Sequence, residues 1–108
     1  MSNPKKTRVF SQLVPNDPQP TLVVGRPLEV LASNQAADSL VQHAELDHPE
    51  HLLPVNAAAL VKSALEQGRA IESVESRLAD HIFLWSFIPD PDSGEVLVRG
   101  RDATNDIL

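Results

Sequence analysis

The sequence contains no cysteine. That removes disulfides, thiolate nucleophiles and Cys-ligated zinc from consideration. Cations are also scarce: nine Lys and Arg stand against fifteen Asp and Glu, for a net charge of −6. A protein that grips a phosphate backbone needs clustered Lys and Arg, so nucleic acid is excluded as a partner. The one basic cluster, Lys5, Lys6 and Arg8, sits in a polar N-terminal stretch and reads as a solvated tail. No apolar run approaches the roughly 18 residues that would span a bilayer. The N-terminus also lacks the apolar core of a secretory signal. The expectation is a soluble, cytoplasmic chain with no membrane contact. The four glycines form no phosphate-cradling loop. The Ser, His and Asp residues show no nucleophile-elbow or charge-relay spacing, so no catalytic residue is assigned and the segment reads as non-enzymatic.

What is present suits one small globule. The 108 residues fit a single domain, and 42% hydrophobic content supplies one core. Residues 1–20 carry Pro4, Pro15, Pro18 and Pro20 and read as a flanking segment and linker, with one apolar island at Val9, Phe10, Leu13 and Val14. Residues 21–105 read as the domain, and 106–108 as the start of an exit segment. Thr21–Val24 and Leu28–Ala32 flank a Gly-containing turn and predict a β-hairpin. Ser33 or Asn34 can cap a helix over Gln35–Gln42. His43–Leu53 is polar and reads as loop with short helical turns.

Asn56–Gln67 is the clearest helix, rich in strong helix formers, with Leu60, Val61, Ala64 and Leu65 as its apolar stripe. Gly68 suits the left-handed residue that ends it. The period then changes to two, placing Glu72, Val74, Ser76 and Leu78 on one face of a strand. His81–Ile88 is almost wholly apolar and predicts a central strand. The turn Pro89–Gly94 leads into a last strand, Glu95–Arg101. Grouped helices between two strands and a three-stranded meander predict an α+β fold with an antiparallel sheet.

This order, with its local signatures, resembles the PAS domain family over about residues 20–105. Leu31-Ala32-Ser33-Asn34-Gln35-Ala36-Ala37 looks like the family's strand-to-helix segment. Leu53-Pro54-Val55-Asn56, followed by Leu60 to Gly68, is similar to its long connecting helix. Leu84-Trp85-Ser86-Phe87-Ile88-Pro89 matches its fourth strand. Gly100-Arg101-Asp102-Ala103-Thr104 resembles the closing Asp-Ile-Thr motif, with Ala103 in place of Ile. The resemblance implies a five-stranded antiparallel sheet with the helices between strands 2 and 3. It also implies a sensory or dimerisation module of a longer signalling protein, such as a sensor histidine kinase, with its effector further along the same chain.

By the family's register, Phe83, Trp85, Phe87, Val96, Val98 and Gly100 face inward, with Leu60, Ala64, Val74 and Leu78 closing the space. This region would be either a pocket for a small molecule, with Ser76 as a polar anchor, or a filled core, since three aromatics occupy much of a small cavity. Light-driven flavin–cysteinyl chemistry is excluded by the missing cysteine. Haem is disfavoured, because His43, His48 and His51 all precede the long helix, which has no axial His. No cofactor is named. His48 and His51 lie near carboxylates, but Pro49 separates them and the segment reads as a solvated loop, so no metal is assigned. Leu84, Ser86, Ile88 and Leu97 would form an outer face. It would be covered either by Val9, Phe10, Leu13 and Val14 or by a second copy in a homodimer. Asp102 and Thr104 would carry the signal out, their short acceptors fixing the end of the last strand. A different class, a small α+β enzyme or carrier, would need polar groups converging inside the pocket, where the sequence offers Ser76 and Asn34.

Overall fold

Residues 18–78 and 80–107 are described in the computed structural model. The elements run β1 (Thr21–Gly25), β2 (Glu29–Ser33), α1 (Gln35–His43), a 3₁₀ turn (Pro49–Leu52), α2 (Ala57–Gln67), β3 (Ile71–Leu78), β4 (His81–Asp90), β5 (Glu95–Asp102) and α3 (Thr104–Ile107). The strands form one antiparallel sheet in the order β2-β1-β5-β4-β3. The helices lie between strands 2 and 3 in sequence, as the grouping of helical segments predicts. Element ends differ from the sequence reading by a residue or two. The second strand begins at Glu29, not Leu28, and Asn56 stands outside α2 as its cap.

The core lies between the helices and one sheet face. Period-two alternation sends Phe83, Trp85 and Phe87 of β4, Val96 and Val98 of β5, and Leu22 and Val24 of β1 to that face. Ala57, Val61 and Ala64 recur at helical spacing and bury the facing side of α2, with Leu60 and Leu65 packed half-buried beside them. On β3 the alternation fails at one point. The register against β4 jumps between Ile71 and Val74, with Ser73 at φ 61° inside the irregularity. An extra residue there flips the sides, so Ile71 and Val74 pack on the core while Glu72 is exposed. The reading that put Glu72 on one face with Val74, Ser76 and Leu78 is thereby corrected for Glu72; the other three share a face.

Two caps set the limits of α1. The Asn34 side chain accepts from Ala37 N at 2.9 Å and from Thr21 N at 3.1 Å, while its amide donates to Gln19 O at 2.7 Å. One buried side chain therefore starts the helix and fixes the beginning of β1. At the other end, Leu46 N donates to Val41 O and Glu45 N to Gln42 O, the paired bonds of a Schellman turn. Glu45 occupies the left-handed position at φ 54°, where glycine costs least. Gly68 does the equivalent job for α2, at φ 63° with its N–H on Ala64 O.

Replacing Glu45→Gly should therefore raise stability by about 0.5–1 kcal/mol. In a domain of this size that is a gain of roughly 2–8 °C in thermal midpoint by circular dichroism. Glu45→Val should lower the midpoint. A loss of stability in the glycine variant would show that Glu45 carries an interaction worth more than its backbone strain.

Candidate functional site

The interior read from the sequence is organised around one side chain. Trp85 is fully buried and lies opposite Gly100 across the β4–β5 ladder. A Cβ at Gly100 would come within 2.7–2.9 Å of three indole carbons. The indole therefore occupies the space that glycine leaves. Its Nε1–H donates to Ser76 Oγ at 2.7 Å, and Ser76 Oγ donates to Leu52 O at 3.2 Å. The polar group that the sequence offers as a ligand anchor is thus engaged in holding tryptophan to the 3₁₀ turn. Phe87, Val98, Ala64 and Val61 are fully buried, Phe83 is 4% exposed, and Leu60 and Val74 pack at the margin of the same cluster. The structure brings together all nine pocket residues read from the sequence. Asn34, the other polar candidate, is spent on the cap described above.

A second set of residues closes the end of β5. Asp102 Oδ1 accepts from Thr104 N at 3.0 Å and from Thr104 Oγ1 at 2.6 Å. Thr104 Oγ1 in turn accepts from Ile82 N at 2.9 Å, and Ala103 N donates to Ile82 O at 2.8 Å. Asp102 Oδ2 meets His81 Nδ1 at 3.1 Å. The segment leaving the sheet is thereby fastened to the first residues of β4. The two Thr104 hydrogen bonds, aided by His81, hold the Asp102 pKa below the usual carboxylate range. Ala103 is fully buried beneath this junction, so a small residue stands where the motif usually has a larger one.

The outer sheet face carries Leu84, Ser86, Ile88 and Leu97, all half-buried, with Arg99 and Arg101 exposed beside them. Val23, paired with Leu97, is fully buried, and Ile82 is 3% exposed. Phe10 and Leu13, read as belonging to this face, lie outside the described residues, as do Val9 and Val14. At its far end Glu95 pairs with Asp90. Glu95 is 7% exposed and its Oε1 has no hydrogen-bond partner among the described residues. Burial, and then the Asp90 carboxylate, push its pKa up, while the Ser93 hydroxyl pulls the other way. His48 precedes the 3₁₀ turn and His51 lies within it, their rings edge-to-face at 5.6 Å.

A cleft of about 520 Å³ lies elsewhere, between the C-terminal half of α1 and the start of β4. Leu40, His43, Ala44, Leu78, Asp80, His81, Phe83 and Asp102 line it. Sequence reasoning missed this site because its walls come from three separate stretches of chain.

Gly100→Ala should destabilise by about 1–3 kcal/mol through overpacking on Trp85. Ser76→Ala should cost about 1–3 kcal/mol by leaving the indole N–H unsatisfied. Denaturant unfolding followed by the emission of the single tryptophan measures both. The combination Gly100→Ala with Trp85→Phe should be less destabilised than the sum of the single changes, because the smaller ring vacates the clash. For Glu95, the raised folded pKa means that ionisation is disfavoured by folding. The penalty is full above the folded pKa and gone below the ordinary value of 4.5. Glu95→Gln should therefore exceed the parent in stability at pH 7, with the gap closing as pH falls through the raised folded pKa toward about 4.5. A gap independent of pH would refute the burial account.

No family model matches the chain, and no curated protein matches it. Solved structures do. A LOV protein from Rhodobacter sphaeroides superposes with a TM-score of 0.62 at 14% identity, over 93% of this chain and 68% of that one. A PAS domain from a two-component sensor histidine kinase superposes with a TM-score of 0.51 at 16% identity, over 92% of this chain and 97% of that one. The strand order, the helices between strands 2 and 3, and these superpositions agree: the chain has the PAS fold.

Proposed function

We propose that this chain is a non-catalytic sensory and signal-transduction module, the input or dimerisation domain of a larger signalling protein such as a sensor histidine kinase. The observation that carries the reading is the junction at Asp102 and Thr104. It ties the departing chain to Ile82 through two backbone groups and one hydroxyl. Movement of β4 or β5 is thereby passed directly to whatever follows α3. The superposition on a domain of a sensor histidine kinase supports the same reading.

The packed surroundings of Trp85 favour a module whose core is filled over one that encloses a ligand beside Gly100. The half-buried Leu84, Ile88 and Leu97 supply an apolar sheet face suited to a second copy of the chain. Among the described residues, the buried polar groups named above are all committed to structure, apart from Glu95 on the outer face.

The test is a chimera in which this chain replaces the PAS domain of a sensor histidine kinase. Asp102→Asn and Thr104→Ala should each change autophosphorylation at least threefold while the far-UV spectrum stays that of the parent. Unchanged kinase output in both variants would sink the signalling role. Sedimentation equilibrium should give the mass of two chains at micromolar concentration, and Leu97→Asp should halve it. A single-chain mass throughout would remove the dimer.

A further inference from the structure

The cleft between α1 and the start of β4 is a concavity whose chemistry the packed core leaves unused. Its volume of about 520 Å³ falls in the range of small-molecule sites. Its floor is apolar: Leu40 and Leu78 pack on the core, and Phe83 presents a ring that is 4% exposed. Among the described residues its rim carries no Lys or Arg. Asp80 and Asp102 supply two carboxylates, and His43 and His81 are the basic groups among the described lining residues. Asp80 and His43 are exposed at the rim.

The Asp102 carboxylate is held ionised by its Thr104 hydrogen bonds, so the rim is negative at neutral pH. A shallower groove of about 440 Å³ continues from the cleft toward Pro18 and Pro20, sharing Leu40, His43, Phe83 and Asp102, with Arg101 also in its lining. Among the described residues, no three His, Asp or Glu side chains converge closely enough to hold a metal ion. An apolar floor under an anionic rim without metal geometry matches an amphiphilic organic cation. Its body would lie on Leu40, Leu78 and Phe83, and its ammonium group between Asp80 and Asp102.

We propose that this cleft binds a small organic cation with an apolar or aromatic body. Such an occupant meets Asp102 Oδ2, the oxygen that His81 otherwise faces, and leaves Oδ1 to Thr104. Binding would thus be felt at the junction that fastens β5 to β4. That consequence rests on the signalling reading, whereas the binding itself does not.

The probe is 2-phenylethylammonium, titrated into the 108-residue chain and followed by amide chemical shifts in two-dimensional NMR. 2-Phenylethanol and 3-phenylpropionate serve as the neutral and anionic counterparts. The expected result is saturable shifts at Leu40, His81, Phe83 and Asp102, with a Kd on the order of 1 mM for a ligand of this size. The cation should bind at least fivefold more tightly than the alcohol, and the carboxylate should not bind. His43→Lys, an exposed change that adds a cation at the rim, should weaken the ammonium at least threefold and leave the alcohol unaffected. Asp80→Asn should narrow the gap between ammonium and alcohol.

Equal binding of the three probes would overturn the proposal. So would shifts centred on Ser76, Trp85 and Val98 in place of His81 and Leu40. A cation that binds in the cleft while the chimeric kinase ignores Asp102 and Thr104 would uphold this site and refute only the signalling role.

Discussion

The indole of Trp85 is the interaction on which the rest of the domain depends. Its ring face requires a residue without a side chain on β5, which Gly100 provides. Its N–H requires an acceptor inside an apolar layer, which Ser76 on β3 provides. Ser76 then satisfies a carbonyl of the 3₁₀ turn at Leu52. One side chain on β4 thus fixes both neighbouring strands and the segment that leads into α2. The energetic logic is that of any polar group taken out of water: left unpaired it costs more than the bond itself contributes. A tryptophan at this position is therefore stabilising only as part of the whole set.

Both ends of the domain are secured by short polar side chains acting on backbone. Asn34 serves the beginning of β1 and α1 together, and Asp102 with Thr104 serves the end of β5 and the start of β4. Neither device adds much apolar burial. Each removes orphaned backbone groups where a strand meets a helix, which are the points where a sheet otherwise frays. The open cleft borders the second device and touches the packed interior at Phe83. The groups able to respond to pH therefore stand at both ends of the β4–β5 pair, Asp102 where the chain leaves the sheet and Glu95 beside the turn.

The sequence was most informative where period and chemistry coincide. The alternation in β4 assigned Phe83, Trp85 and Phe87 to the core, and Gly68 marked the left-handed end of α2. Asn34 was legible as a cap because Asn competes well for that place; that it also holds Thr21, thirteen residues away, was not. Glu72 was misplaced because a bulge adds a residue without a compositional sign, and here the residue with positive φ is a serine. Glu45 hid a Schellman turn for the same reason. Gly100 was recognised as small, but whether smallness leaves room or accommodates a ring depends on the partner across the ladder. The cleft at His81 was invisible, since its walls meet only after α1, the β3–β4 turn and the end of β5 are folded together.

β1 and β5 are antiparallel neighbours, with Thr21 opposite Arg99 and Gly100 N bonded to Pro20 O. The chain therefore arrives and departs at the same end of the sheet, on adjacent central strands. Tension applied across the two ends would load the β1–β5 bonds one after another, beginning at Pro20, and not all at once as in a sheared pair. Mechanically the domain is a zipper with both tabs on one side. It can be spliced between two rods without spreading them, and a small change in their spacing acts first on the strands that carry its core.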